Sequence, residues 1–285
     1  MAILKLTRVE HSLMLVIAVL AAELIAKGLP NYFLLAMSII TPVFISMASF
    51  AINDYFDIEV DKVNKKNKRP LVNGSLKPRD AIIVTAITLI IGIGASFFIN
   101  LYCFAIALIF GLLALLYAYK LKEKLLWGNA YIAFSMAIPF IFGNYVVANK
   151  LNEGILLITA LIFFSGLARE IHGTIRDLKG DMMMRNATTL PKVIGAKKSA
   201  IVALTFYLVA IGISVYLFMA LAPFKYNILY LALIIVTDFI LLYISIGYIN
   251  KRNESFYDFA RNASLIAMSL ALLAFLLAPI VNLCI

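Results

Sequence analysis

Acid and amide side chains recur at helical spacing in the stretch that follows the second long apolar segment of the sequence. Asn53, Asp57 and Asp61 are four residues apart, so a helix extending from that segment places them on one stripe, with Asp54 one position round. Carboxylates stacked in this way repel one another and are costly beside an apolar slab. A hard divalent cation bound by the carboxylates removes this cost. Mg²⁺ fills its remaining coordination positions with water and substrate phosphate oxygens. The stretch therefore favours a Mg²⁺-bound phosphate ligand.

A second acidic stretch repeats the spacing 120 residues later, at Asp177 and Asp181. Here Arg176, Lys179 and Arg185 are interleaved with the acids. Acids alone would indicate Ca²⁺ or metal storage, whereas acids mixed with bases indicate a metal-bound polyphosphate whose other oxygens the cations bind. The alternative is a solvated loop with balanced charges, and the recurrence of the spacing argues against it. Neither stretch matches an EF-hand, a P-loop, a GxGxxG or an HExxH pattern.

The composition indicates which elements must position these residues. Of the 285 residues, 64% are hydrophobic and 14% are charged, against about 45–50% and 25% in soluble domains. Such a chain is not a soluble enzyme, a disordered chain or a disulfide scaffold. Segments long enough to span a bilayer lie at about 9–27, 32–53, 81–99, 101–119, 128–148, 154–175, 199–222, 226–249 and 262–284. We predict an all-α integral membrane protein of nine transmembrane helices.

The distribution of charge predicts the orientation in the membrane. With the N-terminus inside, 22 of the 25 Lys and Arg residues fall on the inner side, and only Lys27, Lys150 and Lys225 fall outside. This asymmetry satisfies the positive-inside rule. We therefore expect a multi-pass protein of the cell membrane whose N-terminus and acidic stretches are cytoplasmic and whose C-terminus is outside. The net charge of +10 is explained by basic residues in the connections on the inner side of the membrane, so no nucleic-acid partner is expected.

The acidic stretches also suggest an internal repeat, because they follow the second and the sixth span. We interpret the chain as one domain over 1–285 with two pseudo-repeats, approximately 1–125 and 126–285.

Three motifs resemble those of the UbiA superfamily of intramembrane prenyltransferases. They are Asn53-Asp54-x-x-Asp57-x-x-x-Asp61 with Arg69-Pro70 and Gly74, then Tyr117-Ala-Tyr-Lys120-Leu-Lys122 with Gly128-Asn129, and Asp177-x-x-Gly180-Asp181 with Thr189-Leu190-Pro191. The resemblance extends over nearly the whole chain. It implies a bundle of nine helices with a cytoplasmic-side cap and a central cavity.

The resemblance also implies roles for individual residues. Two Mg²⁺ ions would be bound by Asn53, Asp54, Asp57 and Asp61 on one side and by Asp177 and Asp181 on the other, and these five aspartates would be the catalytic residues. The diphosphate of an isoprenoid donor would contact Arg69, Lys120, Lys122 and Lys179. Arg8 and His11, three residues apart at the start of the first span, are candidates for binding the acceptor.

The acceptor is the least determined part of the prediction. The Asp-Leu-Lys-Gly-Asp motif and the connection around Lys120 look most like the archaeal ether-lipid branch of the family, where geranylgeranyl diphosphate alkylates geranylgeranylglyceryl phosphate. The stretch from Arg8 to His11 looks more like the branch with aromatic acceptors of the 4-hydroxybenzoate type, which supply quinone synthesis. A secondary transporter is the third hypothesis, because many transporters are also built from two repeated halves.

Overall fold

The structure, a computed structural model, describes residues 2–26, 28–63, 66–124, 126–178, 188–251 and 253–283. All the regular secondary structure in these ranges is helical. The helices are α1 (Ala2–Thr7), α2 (Ser12–Ala26), α3 (Tyr32–Phe56), α4 (Ile58–Val63), α5 (Pro78–Phe97), α6 (Leu101–Tyr119), α7 (Trp127–Val147), α8 (Glu153–Arg176), α9 (Leu190–Ile194), α10 (Ala196–Ala220), α11 (Ile228–Asn250) and α12 (Glu254–Leu283). Within the described ranges, nine of them are long and apolar enough to cross a membrane, which confirms the predicted class.

The observed helices start where the sequence predicts, with one exception. Eight of the nine predicted segments begin within three residues of the observed span. The last predicted segment begins at 262, whereas α12 begins at Glu254. Its first turns contain Asp258 and Arg261. Hydropathy detects only the part of a helix that lies in the apolar slab, so the polar turns were missed.

The nine long helices form a closed ring. Each packs against the next one along the chain, and α12 packs back against α2. Additional contacts between α2 and α7 and between α3 and α6 cross the ring. Buried interface positions are often alanine, including Ala22 on α2, Ala133 on α7 and Ala168 on α8. Small side chains allow membrane helices to approach closely, where dispersion forces and not water exclusion drive their association.

The outer surface of the ring is apolar. Ile90 is 72% exposed, Ile228 81% and Phe239 71%. Large aliphatic and aromatic side chains left outside a bundle of this kind face lipid. The chain is therefore a multi-pass membrane protein.

Four of the long helices begin with an asparagine cap at the end of the bundle opposite the acidic stretches. Asn31, Asn100, Asn152 and Asn227 precede α3, α6, α8 and α11, and each side chain accepts a hydrogen bond from a backbone N–H in the first turn. These caps satisfy N–H groups that have no partner within the helix. The four helices then run toward the end that carries the acidic residues.

The contact between α2 and α7 yields a stability prediction at Gly143. A Cβ at this position would lie 2.6 Å from the Val19 carbonyl oxygen and 2.9 Å from the Ala22 Cβ. Because two helix backbones would have to separate, we expect Gly143→Ala to lower the free energy of unfolding by about 1–3 kcal/mol. Denaturant titration in detergent measures this change. Gly94→Ala is the matched control, since nothing lies within 4 Å of its added Cβ. Equal effects at both positions would contradict the packing account.

Candidate active site

Asp57 and Asp177 occupy equivalent positions at the ends of two long helices. Asp57 is the C-cap of α3 with φ −95° and ψ 3°, and Asp177 is the C-cap of α8 with φ −86° and ψ 2°. Their backbone N–H groups donate to the carbonyls of Asn53 and Gly173, each at 3.0 Å. A carboxylate at the carbonyl end of a helix is unfavourable, because that end already carries partial negative charge. A neighbouring cation therefore stabilises the carboxylate at both positions.

The predicted stripe of acid and amide groups continues through the break between α3 and α4. The Asp61 N–H donates to the Asp57 carbonyl at 2.8 Å, so helical hydrogen bonding resumes at once. The Asn53 side-chain amide donates to Oδ2 of Asp57 at 3.0 Å. Side chains four residues apart are thus neighbours, as the sequence predicts, although Asp57 itself lies outside both helices.

The other carboxylates of this stretch are buried and paired. Asp54 and Asp61 are 2% and 1% exposed, and Arg69 donates to both. Arg8 Nη2 lies 2.6 Å from Asp54 Oδ1, and Lys66 Nζ lies 3.1 Å from Asp61 Oδ1. Removing one partner from a buried ion pair costs about 3–5 kcal/mol. These basic side chains therefore allow the acids to be ionised inside the protein.

Lys122 joins the first acidic stretch to the rest of the site. Its Nζ lies 2.7 Å from Oδ1 of Asp57, and the two side chains are only 9% and 11% exposed. Lys122 lies in a 3₁₀ turn over Leu121–Glu123, between α6 and α7. The Thr188 N–H, just after the second acidic stretch in the chain, donates to the Glu123 carbonyl of this turn at 3.2 Å. The turn therefore contacts both halves of the site.

The second acidic stretch is described only in part. Arg176 donates to both carboxylate oxygens of Asp177, at 2.7 and 2.8 Å. The predicted metal ligand Asp181 and the predicted diphosphate ligand Lys179 lie outside the described residues. Their roles stay predictions.

A cavity of about 370 Å³ lies beside Lys122 and Asp177. Its walls are formed by the connection between α6 and α7, by α8, and by α10, α11 and α12. Its basic lining residues are Lys122, Lys124, Arg169, Arg176 and Arg261, and its acidic ones are Glu170 and Asp177. The excess of positive charge suits a phosphate-bearing ligand. Because Lys122 also contacts Asp57, the cavity adjoins both acidic stretches.

The first acidic stretch fits a hard metal ion by its donor chemistry. Across the described ranges, no group of three or more His, Cys, Asp or Glu side chains is arranged as a metal site. The three carboxylates and the Asn53 amide nevertheless offer oxygen ligands of the kind Mg²⁺ prefers. Arg69 brings the carboxylates of Asp54 and Asp61 to one guanidinium, so they already face a shared positive charge.

Three other residues predicted from the sequence lie away from the cavity wall. Lys120 is exposed at the end of α6 and is not among the described lining residues. The Arg8 guanidinium lies 4.9 Å from the centre of the Phe50 ring, and the His11 ring lies 5.5 Å from it. Arg8 has φ 46° in the turn before α2, so Arg8 and His11 do not lie on one continuous helix. They gather instead around Phe50, beside Asp54.

The sequence predictions missed the cavity wall on the side of α10, α11 and α12. Tyr207, Tyr248, Arg261 and Ser264 line it, together with Arg169 of α8. They come from four helices, and no spacing in the sequence relates them. The available signals were Arg169 and Glu170, two charged residues inside a predicted span, where charges are rare and usually functional.

The amino-acid sequence of this chain is similar to those of known proteins along most of its length. The model of the UbiA prenyltransferase family matches residues 14–260. A digeranylgeranylglyceryl phosphate synthase of Archaeoglobus fulgidus is 35% identical over 275 residues, which cover 96% of this chain and 94% of the relative. The synthase of the same name from Thermococcus kodakarensis is 31% identical over 285 residues, 99% of each chain.

Solved structures share the fold. A structure described as a digeranylgeranylglyceryl phosphate synthase in membranes is 29% identical with a TM-score of 0.80, and 98% of each chain is covered. A UbiA homologue from Archaeoglobus fulgidus, bound to DMAPP and Mg²⁺, is 15% identical with a TM-score of 0.68. The match covers 96% of this chain and 99% of that one.

Proposed function

The chain belongs to the UbiA prenyltransferase family, and from this membership we propose the reaction that it catalyses. It is a prenyltransferase that moves a geranylgeranyl group from geranylgeranyl diphosphate to geranylgeranylglyceryl phosphate. The bond between the allylic carbon and the diphosphate oxygen breaks, and an ether bond to the free secondary hydroxyl forms. Diphosphate and the hydroxyl proton are released. The product carries the second ether bond of an archaeal membrane lipid. Full-length relatives named for this reaction support the acceptor.

The observation that carries the proposal is the contact between Lys122 and Asp57. It joins the first acidic stretch to a positively charged cavity that Asp177 also lines. A diphosphate bound at this junction would have carboxylates that can bind metal on two sides. Basic side chains would lie between these carboxylates. This is the arrangement needed to stabilise a departing polyphosphate.

Mg²⁺ is the metal that this site would hold. Its ligands would be Asn53, Asp54, Asp57 and Asp61 on one side and Asp177 and Asp181 on the other. When bound, Mg²⁺ neutralises oxygens of the diphosphate and so makes it a better leaving group. The Mg²⁺-bound homologue supports this assignment at the level of the family fold.

The basic residues of this chain supply the remaining positive charge. Lys122 is nine-tenths buried, so its ammonium acts where water screens little. We propose that Lys122, Arg69, Lys120 and Lys179 contact the diphosphate. Arg176 orients the Asp177 carboxylate through two hydrogen bonds. The closed ring of helices excludes water, which would otherwise quench the allylic carbon as it becomes positively charged.

The alternatives from the sequence are less well supported. An aromatic acceptor remains the second candidate, because Arg8, His11 and Phe50 form an aromatic and cationic cluster beside Asp54. Under either acceptor, Arg8 and His11 are candidate acceptor ligands. A transporter is disfavoured because the acidic residues lie at helix ends and not in the middle of the spans.

The proposed enzyme acts at the cytoplasmic face of the cell membrane, with its C-terminus outside. The charge asymmetry of the loops supports this orientation. We also propose the two pseudo-repeats, approximately 1–125 and 126–285, within the single domain. The matching backbone angles of Asp57 and Asp177, 120 residues apart, support them.

The proposed function predicts a Mg²⁺-dependent product of defined mass. Purified protein with geranylgeranyl diphosphate should convert geranylgeranylglyceryl phosphate into the diether phosphate, with one diphosphate released per ether bond. Mass spectrometry and a diphosphate assay measure both. Chelation of Mg²⁺ should stop turnover, because the leaving group then keeps its full negative charge.

Matched reactions with 4-hydroxybenzoate separate the acceptors. An aromatic product without the diether product would replace the acceptor and leave the reaction class intact. No diphosphate release with any acceptor, together with solute uptake into vesicles, would establish transport instead.

A further inference from the structure

A second group of polar side chains lines the cavity on the side away from the first acidic stretch. We call it the Arg169 pocket. It consists of Arg169 and His172 on α8, Tyr207 on α10, Tyr248 on α11, and Arg261 and Ser264 on α12. The reaction as described above requires none of these residues.

Neighbouring groups hold the Arg169 side chain in place. Its Nη1 lies 3.3 Å from Glu170 Oε1, and its Nε donates to Ser264 Oγ at 3.4 Å. Ser264 in turn donates to the Arg261 carbonyl at 2.8 Å. These contacts tie α8 to α12 across the pocket. The guanidinium is therefore positioned before any ligand arrives.

Two buried polar atoms in the pocket have no hydrogen-bond partner among the described residues. They are Nε2 of His172 and the hydroxyl of Tyr207, on residues that are 4% and 0% exposed. The His172 ring stacks on Tyr248 with centroids 4.0 Å apart and planes 6° apart, which fixes its orientation. A buried polar atom without a hydrogen-bond partner is destabilising unless a ligand pairs with it. Two such atoms lining one cavity indicate a polar ligand, to which the Tyr207 hydroxyl can donate a hydrogen bond.

The pocket also offers unneutralised positive charge. The Arg261 guanidinium forms no ion pair with the residues that the structure describes, and it is exposed to the cavity mouth. Of the acids that the structure describes, Glu170 is the one that pairs with Arg169. Arginine is suited to phosphate because its planar N–H groups bind two oxygens at once. The ligand is therefore expected to be an anion of the phosphate type.

Resting on the proposed function, we propose that the Arg169 pocket binds the phosphate monoester of the lipid acceptor. The donor diphosphate and the acceptor phosphate are both anions, so they repel each other and need separate cations. Arg169 precedes Asp177 by eight residues on α8, a distance of about 12 Å along the helix. The two anions are thereby held apart on one helix.

The chemistry of the acceptor fits this separation. Its reacting hydroxyl is the secondary one, so the phosphate is on the neighbouring glycerol carbon. A phosphate held in the pocket directs that hydroxyl toward the donor at Asp177 and Lys122. A glycerol lipid without the phosphate lacks this anion, so the pocket favours the phosphorylated acceptor over its phosphate-free form.

The test compares acceptors with and without phosphate. Arg261→Gln should raise the KM for geranylgeranylglyceryl phosphate about tenfold, since it removes a charge-assisted hydrogen bond. The KM for the donor should change less than twofold. The preference of the enzyme for this acceptor over phosphate-free geranylgeranylglycerol should fall by the same tenfold. Tyr207→Phe, which removes one oxygen atom, should shift the acceptor KM in the same direction.

Binding without turnover provides a second readout. Titration of the acceptor without donor or Mg²⁺ should give a Kd about tenfold weaker for Arg261→Gln than for the unmodified protein. Lys198→Gln is the matched control, because it removes an equal charge from an exposed position on α10 that does not line the cavity. It should leave both constants unchanged.

The outcomes separate this inference from the proposed function. If the unmodified protein makes the diether phosphate but Arg261→Gln leaves acceptor KM, acceptor preference and Kd unchanged, the pocket assignment is wrong and the reaction stands. The same holds if Arg8→Gln weakens acceptor binding and Arg261→Gln does not. If the unmodified protein makes no diether phosphate, the proposed function and the pocket assignment both fail.

Discussion

Replacing Asp57 by Asn should lower kcat for ether formation by about 100- to 1000-fold, the range seen when one preorganised electrostatic contact is lost. The change keeps the size of the side chain but removes the charge that pairs with Lys122 at 2.7 Å. It also removes a proposed metal ligand at the junction of the two acidic stretches. Initial rates at saturating donor and acceptor, over a series of Mg²⁺ concentrations, measure the loss. We expect the variant to require more Mg²⁺ for half-maximal rate.

Glu59→Gln is the matched control for this loss. Glu59 lies two residues after Asp57, on the short helix α4, but its side chain is 83% exposed and pairs with Lys62 at the surface. A surface ion pair contributes about 0–1 kcal/mol, so folding and turnover should both stay within twofold of the unmodified protein. If Asp57→Asn has a normal rate and a normal Mg²⁺ dependence, Asp57 is not part of the active site.

Replacing Arg69 by Met should abolish turnover and lower the free energy of unfolding by about 3–5 kcal/mol. Arg69 is the shared partner of Asp54 and Asp61, and both carboxylates are almost fully buried. Without the guanidinium, two negative charges face each other in an environment that screens them poorly. Mg²⁺ should stabilise the variant more than it stabilises the unmodified protein, because a cation then replaces the charge that the guanidinium supplied to these buried carboxylates. Unfolding in detergent with and without Mg²⁺ measures both effects.

Two further substitutions make the Arg69 experiment specific. Arg79→Met removes an exposed arginine from the first turn of α5 and should change neither stability nor rate appreciably. Arg69→Lys keeps the charge but cannot bridge two carboxylates with one planar group. Its stability and its rate should therefore both lie between those of the Met variant and those of the unmodified protein. Full stability in Arg69→Met would show that Arg8 and Lys66 alone neutralise the buried acids.

The location of the nine spans was predictable because each depends on local composition. A run of about 20 apolar residues is the minimum that crosses a bilayer as a helix, so its position can be read without knowing its neighbours. The same reasoning failed at the start of α12, where Asp258 and Arg261 lie on turns outside the apolar slab. The proximity of the Asn53 and Asp57 side chains was also predictable, because residues four apart are neighbours on any helix.

The partners of the acidic residues were only partly predictable. Arg69 and Lys122 were predicted to bind diphosphate, a role that stays a prediction. In the structure they pair with Asp54, Asp61 and Asp57. The spacing of 15 residues between Asp54 and Arg69, or 65 between Asp57 and Lys122, contains no geometric information. Those contacts depend on how turns fold back over the ends of α3 and α6.

The amino-acid sequence by itself determined the membrane class, the number of spans and the acidic stretches, because helical period and hydropathy act over a few turns of one segment. Only the tertiary structure decided that Lys122 pairs with Asp57 beside the cavity that Asp177 lines, and that Arg169, Tyr207 and Arg261 line the same cavity. These residues lie on different helices, and closure of the ring brings them together. Their positions follow from the packing of small side chains between helices, which no single segment encodes.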